Sequence, residues 1–149
     1  RLAGRGWAAL VLLLDVGRGL GLAVSAEALL PLDLVPWIGM ALVAGNRFPC
    51  FHGFRGGKGV ASYLGFTLPI APWGAALACL VWAAVHRAVH VPFIASFCMV
   101  PILGAAAVIA TGAQAVPLAG TIGTVVWIGF NHRDNILTLL DQKHGQAGR

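Results

Sequence analysis

The amino-acid sequence predicts an all-α integral membrane protein, a polytopic bundle of about six transmembrane or half-membrane helices. Two observations carry this. Of the 149 residues, 58% are hydrophobic and 10% are charged, with a mean hydropathy of +0.83, whereas a soluble domain carries about 25% charged residues. Too few charges remain to coat a globular surface, so lipid must solvate much of the chain. The apolar residues also fall in long runs separated by short polar stretches, and the length accommodates several membrane segments of ~20 residues.

The first run, Trp7 to Leu30, can span a bilayer but contains Asp15 and Arg18. At i and i+3 they share one helix face. A charge facing lipid costs at least a few kcal/mol, so they are expected to face the bundle interior or a wet cavity as a self-neutralising pair. Glu27, Pro31 and Asp33 make an acidic turn before a shorter run, Leu34 to Ala44. The polar segment Gly45 to Lys58 carries Arg47, Arg55 and Lys58. Val60 to Val85 is uncharged but broken by Pro69 and Pro72, which divides it into two short helices, Gly59 to Leu68 and Trp73 to Val85. His86 and Arg87 form a second basic loop. Ala88 to Phe130 is long enough for two spans hinged near Thr111 to Gln114, and a polar tail follows from Asn131. This count places the loop at Arg47 to Lys58, the pair His86–Arg87 and the tail on one side, which the positive-inside tendency makes cytoplasmic.

The net charge of +5 sits in these short loops, which suits anionic head groups and phosphorylated substrates. A nucleic-acid partner is excluded because no water-facing domain carries a basic stripe. Cys50, Cys79 and Cys98 are widely spaced and read as small apolar residues rather than a disulfide framework or zinc site. His86 and His90 have ligand spacing but no third ligand nearby, so no metal is expected.

Chemistry concentrates in the segment Gly45 to Ser62. Glycines at 56, 57 and 59 let backbone N–H groups approach an anion closely. The run beginning at Gly59 aims a helix N-terminus at the same place, and Arg55 and Lys58 add full charges. The segment is not a P-loop: His52 and Gly59 occupy positions where that motif needs Gly and Ser or Thr. In the second stretch, Asn131 to Ile136, His132 and Asn135 at i and i+3 suit holding a hydroxyl or sharing its proton. No serine lies in a G-x-S-x-G elbow.

These stretches together resemble the PlsY-type family of bacterial membrane acyltransferases, which use acyl phosphate and glycerol 3-phosphate. Its diagnostic loop matches Gly45, Phe48, Pro49, Phe51, Phe54, Gly56, Gly57, Lys58, Gly59, Val60 and Ala61, with Arg55 for Lys and Ser62 for Thr. Its Asp-x-x-Lys-Gly helix matches Asp15, Arg18 and Gly19, and its terminal motif matches His132, Arg133, Asn135 and Ile136. Asn46 stands where the family has His, and Leu137, Thr138 and Gln142 stand where it has Lys-Arg and Gly-Thr-Glu. Arg1 corresponds to the last residue of the family's first motif, so residues 1–149 are expected to form one membrane-embedded acyltransferase domain that is N-terminally incomplete.

The resemblance implies transfer of an acyl group from acyl phosphate to the 1-hydroxyl of glycerol 3-phosphate, giving lysophosphatidic acid, with no metal or organic cofactor. It implies catalytic roles for Lys58, His132 and Asn135, and substrate-binding roles for Arg1, Arg55, Gly56, Gly57, Gly59 and Ser62. It places the chain as a multi-pass protein of the bacterial plasma membrane, among membrane lipids, with its site facing the cytoplasm. The alternatives are a non-catalytic lipid-binding relative and a small-molecule transporter, though no internal repeat with broken helices supports a transporter.

Overall fold

The computed structural model describes residues 5–49 and 56–147. Among them are seven α-helices and no strand: α1 (Arg5–Leu29), α2 (Val35–Arg47), α3 (Val60–Ile70), α4 (Pro72–Val89), α5 (Pro92–Thr111), α6 (Ala115–Phe130) and α7 (Arg133–Ala147). Proline sets several starts: Pro36, Pro72 and Pro92 lie in the first turns of α2, α4 and α5, where the missing N–H has no helical partner to lose. Gly6–Leu29, Pro72–Val89 and Pro92–Thr111 are long and apolar enough to cross a membrane. The 11 residues of α3 reach about 16 Å at ~1.5 Å per residue, half a bilayer.

Two features differ from the sequence reading. His86 and Arg87 are not a loop but the last turn of α4, which runs on to Val89. The Arg87 cation at that end complements the unpaired carbonyls. The helix stops at His90, whose φ of +59° is left-handed, just before Pro92. The polar tail is also helical, as α7; it escaped the count because it lacks an apolar face of membrane length.

Small residues are frequent in the interior, beside larger ones such as Phe66 and Ile128. Ala23, Val43, Ala78 and Leu103 are fully buried, while Leu13, Leu80, Ile109 and Val126 point outward. Apolar residues thus cover both sides, and what distinguishes the interior is close approach of backbones. α1 and α3 cross at Gly19 and Gly65, each against the other helix's backbone. The hydroxyls of Thr67, Thr111 and Thr124 are buried and each donates to the carbonyl four residues back, so they are satisfied within their own helices. Trp37 Nε1 donates to the Val116 carbonyl at 3.0 Å and ties α2 to α6.

Candidate active site between the α2–α3 segment and the α6–α7 turn

Phe48 and Gly56 both lie against the end of α2. Phe48 N–H donates to the Ala44 carbonyl, and Gly56 N–H donates to the Arg47 carbonyl at 3.1 Å. Gly56 therefore packs against the end of α2, and its N–H is engaged there. Gly59 caps α3 with φ +89°, and a Cβ there would come within 2.8 Å of Val43. Only glycine meets both demands. Beyond it, Val60 and Ala61 open α3 into a cleft of about 340 Å³, so the positive end of the helix dipole faces that space.

The opposite wall comes from the α6–α7 turn. Asn131 Nδ2 donates to the Lys58 carbonyl at 3.3 Å, joining two segments 73 residues apart. Gly57, Lys58 and Gly59 line the cleft with His132 and Asn135. His132 is 3% exposed, and its Nδ1 lies 2.8 Å from the Ile128 carbonyl. A carbonyl only accepts, so Nδ1 carries a proton, and in the neutral ring Nε2 keeps its lone pair. Burial holds the imidazole below its ordinary pKa; nearby Lys58 pushes the same way, and the Ile128 bond opposes them. Burial likewise lowers the Lys58 ammonium, Asp134 pulls it back up, and Arg47 adds to the lowering.

Asp15 and Arg18 do more than neutralise each other. Arg18 Nη2 lies 2.9 Å from Asp15 Oδ1, 2.9 Å from Ser62 Oγ and 2.5 Å from Asn46 Oδ1, its two hydrogens shared among the three acceptors. One guanidinium thus fastens α1 to the start of α3 and the end of α2. Asp15 and Asn46 line the cleft, whereas Ser62 is wholly buried behind Arg18. Arg1 and Arg55 lie outside the described residues.

Ser96 is a site residue that the sequence did not mark. It lies in an apolar run, outside any motif. It lines the cleft and also an adjoining apolar groove of about 370 Å³ walled by Leu12, Leu64, Cys79, Trp82 and Met99. Trp82 Nε1 donates to Ser96 Oγ at 3.3 Å, and Ser96 donates to the Pro92 carbonyl at 3.1 Å. Among the described residues it is the polar side chain common to both spaces. A polar, cation-lined cleft adjoining an apolar groove can hold an amphiphile with an anionic head.

The comparisons with known proteins agree with that architecture. A family profile described as glycerol-3-phosphate acyltransferase matches residues 1–142. The chain belongs to the glycerol-3-phosphate acyltransferase family. Relatives of that name include one from Azotobacter vinelandii, 32% identical over 140 residues, covering 93% of this chain and 72% of the relative. Another, from Laribacter hongkongensis, is 35% identical over 147 residues, covering 98% and 68%. The crystal structure of PlsY, an integral membrane glycerol 3-phosphate acyltransferase, in its glycerol 3-phosphate form superposes with a TM-score of 0.81 at 28% identity, covering 93% of this chain and 70% of PlsY. Its lysophosphatidic acid form gives the same TM-score. This acyltransferase is thus an integral membrane enzyme of all-α fold.

Proposed function

We propose that this acyltransferase moves an acyl group from acyl phosphate to the 1-hydroxyl of glycerol 3-phosphate, releasing lysophosphatidic acid and phosphate. The single observation that supports this best is the seam at Ser96, where the cleft of Lys58 and His132 meets the apolar groove. An acyl phosphate has its reactive carbonyl between an apolar chain and an anionic head. With the chain in the groove and the phosphoryl group at Gly57 and Gly59, that carbonyl sits at the seam. The hydroxyl oxygen of glycerol 3-phosphate bonds to the carbonyl carbon, the bond from that carbon to the phosphate oxygen breaks, and phosphate leaves with the electron pair and takes up the hydroxyl proton. The donor is already activated, so the protein's task is to hold two anions together and orient the hydroxyl. Lys58 offsets their repulsion, and His132 and Asn135 hold the glycerol part.

The chain acts as a single membrane-embedded domain of the bacterial plasma membrane, its cleft on the cytoplasmic side, as the clustering of basic segments implies. Sealed inside-out vesicles carrying the full-length protein test the donor and the orientation together. Labelled glycerol 3-phosphate added outside should be acylated with palmitoyl phosphate and not with palmitoyl-CoA. Turnover with the thioester alone would reject the donor. Turnover confined to right-side-out vesicles would reject the orientation.

The imidazole of His132 must be neutral to accept from the substrate hydroxyl. Burial lowers its pKa from the ordinary imidazole value, so the neutral form is favoured at neutral pH and is lost only as the pH falls through that lowered value. NMR titration of histidine-labelled protein should show the Nδ1–H tautomer for His132 and a midpoint below that of an exposed histidine. A midpoint above that of an exposed histidine would overturn the neutral imidazole as the working form.

A further inference from the structure

We propose that Asn46 is a phosphoryl-binding residue of this acyltransferase, its carboxamide N–H donors completing the anion cradle at Gly57, and that Arg18 is the positioning residue that holds it there. The proposal rests on the acyl-phosphate reading and assigns Asn46 to the donor's phosphoryl group rather than to glycerol 3-phosphate.

The orientation of the amide follows from its partner. A guanidinium only donates, so the Asn46 oxygen must face Arg18. The amide nitrogen then faces the other way, and it lies 3.0 Å from where a Cβ on Gly57 would be. Asn46 and Gly57 both line the cleft. Arg18 is itself pinned by Asp15 on its own helix and by Ser62 on α3, so the amide cannot turn over without breaking a contact that spans three helices. Accepting from a cation also polarises the amide and strengthens its N–H groups as donors.

The location explains why a donor is needed. Asn46 lies in the last turn of α2, the negative end of a helix dipole, where bare carbonyls would repel phosphate. The protein covers two of these carbonyls itself: Ala44 accepts from Phe48 N–H and Arg47 from Gly56 N–H. The Asn46 amide then brings N–H groups from that same end to the cleft wall. The two positions also depart together from the family motif quoted above, Arg18 from Lys and Asn46 from His, and the structure puts the two side chains in direct contact.

The experiment is steady-state kinetics on the full chain with palmitoyl phosphate and glycerol 3-phosphate, beside binding of inorganic phosphate followed by NMR. Asn46→Asp keeps the size of the side chain and the acceptor for Arg18, removes both donors and adds a negative charge. Asn46→Ala removes the donors without adding charge and serves if the Asp variant does not fold. Each should raise the KM for palmitoyl phosphate about 10-fold, the order expected for a hydrogen bond to a charged group, leave the KM for glycerol 3-phosphate within about twofold, and weaken phosphate binding in parallel. Arg18→Lys should raise the palmitoyl-phosphate KM less, and should add nothing further in the Asn46→Ala background. An unchanged palmitoyl-phosphate KM, or a rise confined to glycerol 3-phosphate, overturns the proposal. If the wild type turns over another donor only, the acyl-phosphate reading fails instead; inorganic phosphate binding then decides Asn46, and equal affinity in wild type and both variants rejects it.

Discussion

Lys58→Ala should reduce acyl transfer by one to two decades while the protein still inserts and folds. Lys58 lies between Gly57 and Gly59, half-buried at the cleft wall, with its carbonyl held by Asn131 across the site. Two anionic substrates must meet there, and their repulsion needs a shared cation. A hydrogen bond to a charged group contributes roughly 1.5–3 kcal/mol, and ~1.36 kcal/mol is a factor of ten in rate. The backbone is left untouched, so the glycine cap and the Asn131 bond persist in the variant. Lys58→Arg should recover only part of the loss, because a forked guanidinium replaces a compact ammonium. The measurement is kcat/KM for both substrates at matched expression. Wild-type activity in Lys58→Ala would mean that the segment serves packing and topology alone.

The parts of this molecule that were legible in the sequence are those with local causes. Runs of apolar residues marked the helices, and Pro72 marked the break between α3 and α4, because proline acts on its own turn; Pro69 lies inside α3, which runs to Ile70 rather than Leu68. The charged pair in the first run implied a polar interior, and Arg18 does reach α2 and α3. The end of α4 was misplaced because His86 and Arg87 look like loop residues although they suit a helix C-terminus. Ser96 and Trp82 could not be paired, since their contact depends on how α4 packs on α5, and an apolar run carries no register for that. The same holds for Asn131, whose side chain finds the Lys58 carbonyl only once α6 and α3 stand side by side.

Gly65 of α3 and Gly17 of α1 differ sharply in their surroundings. Gly65→Ala should destabilise the protein and abolish activity with it. A Cβ at Gly65 would lie 2.7 Å from the Val16 carbonyl carbon and closer still to its oxygen; one at Gly19 would lie 2.7 Å from the Phe66 nitrogen. These neighbours are backbone and cannot rotate away, so α1 and α3 must separate. Overpacking of this kind costs about 1–3 kcal/mol, more where nothing yields. The separation also acts on the site: Arg18 would be drawn from Ser62 and Asn46, and the end of α2 would lose its tie to the cleft. Gly17→Ala is the control, one residue from Val16, with nothing within 4 Å of its would-be Cβ. There alanine should be neutral or stabilising, because glycine in a helix interior is ~1 kcal/mol less favourable than alanine. Thermal unfolding in detergent and acyl-transfer activity separate the two variants. At about 2–4 °C per kcal/mol, Gly65→Ala should melt several degrees lower and lose most of its activity, while Gly17→Ala melts at or above the wild type and stays active. Equal melting of Gly65→Ala and wild type would show that α1 and α3 do not touch at their backbones, and the contacts of Arg18 that depend on that crossing would fall with it.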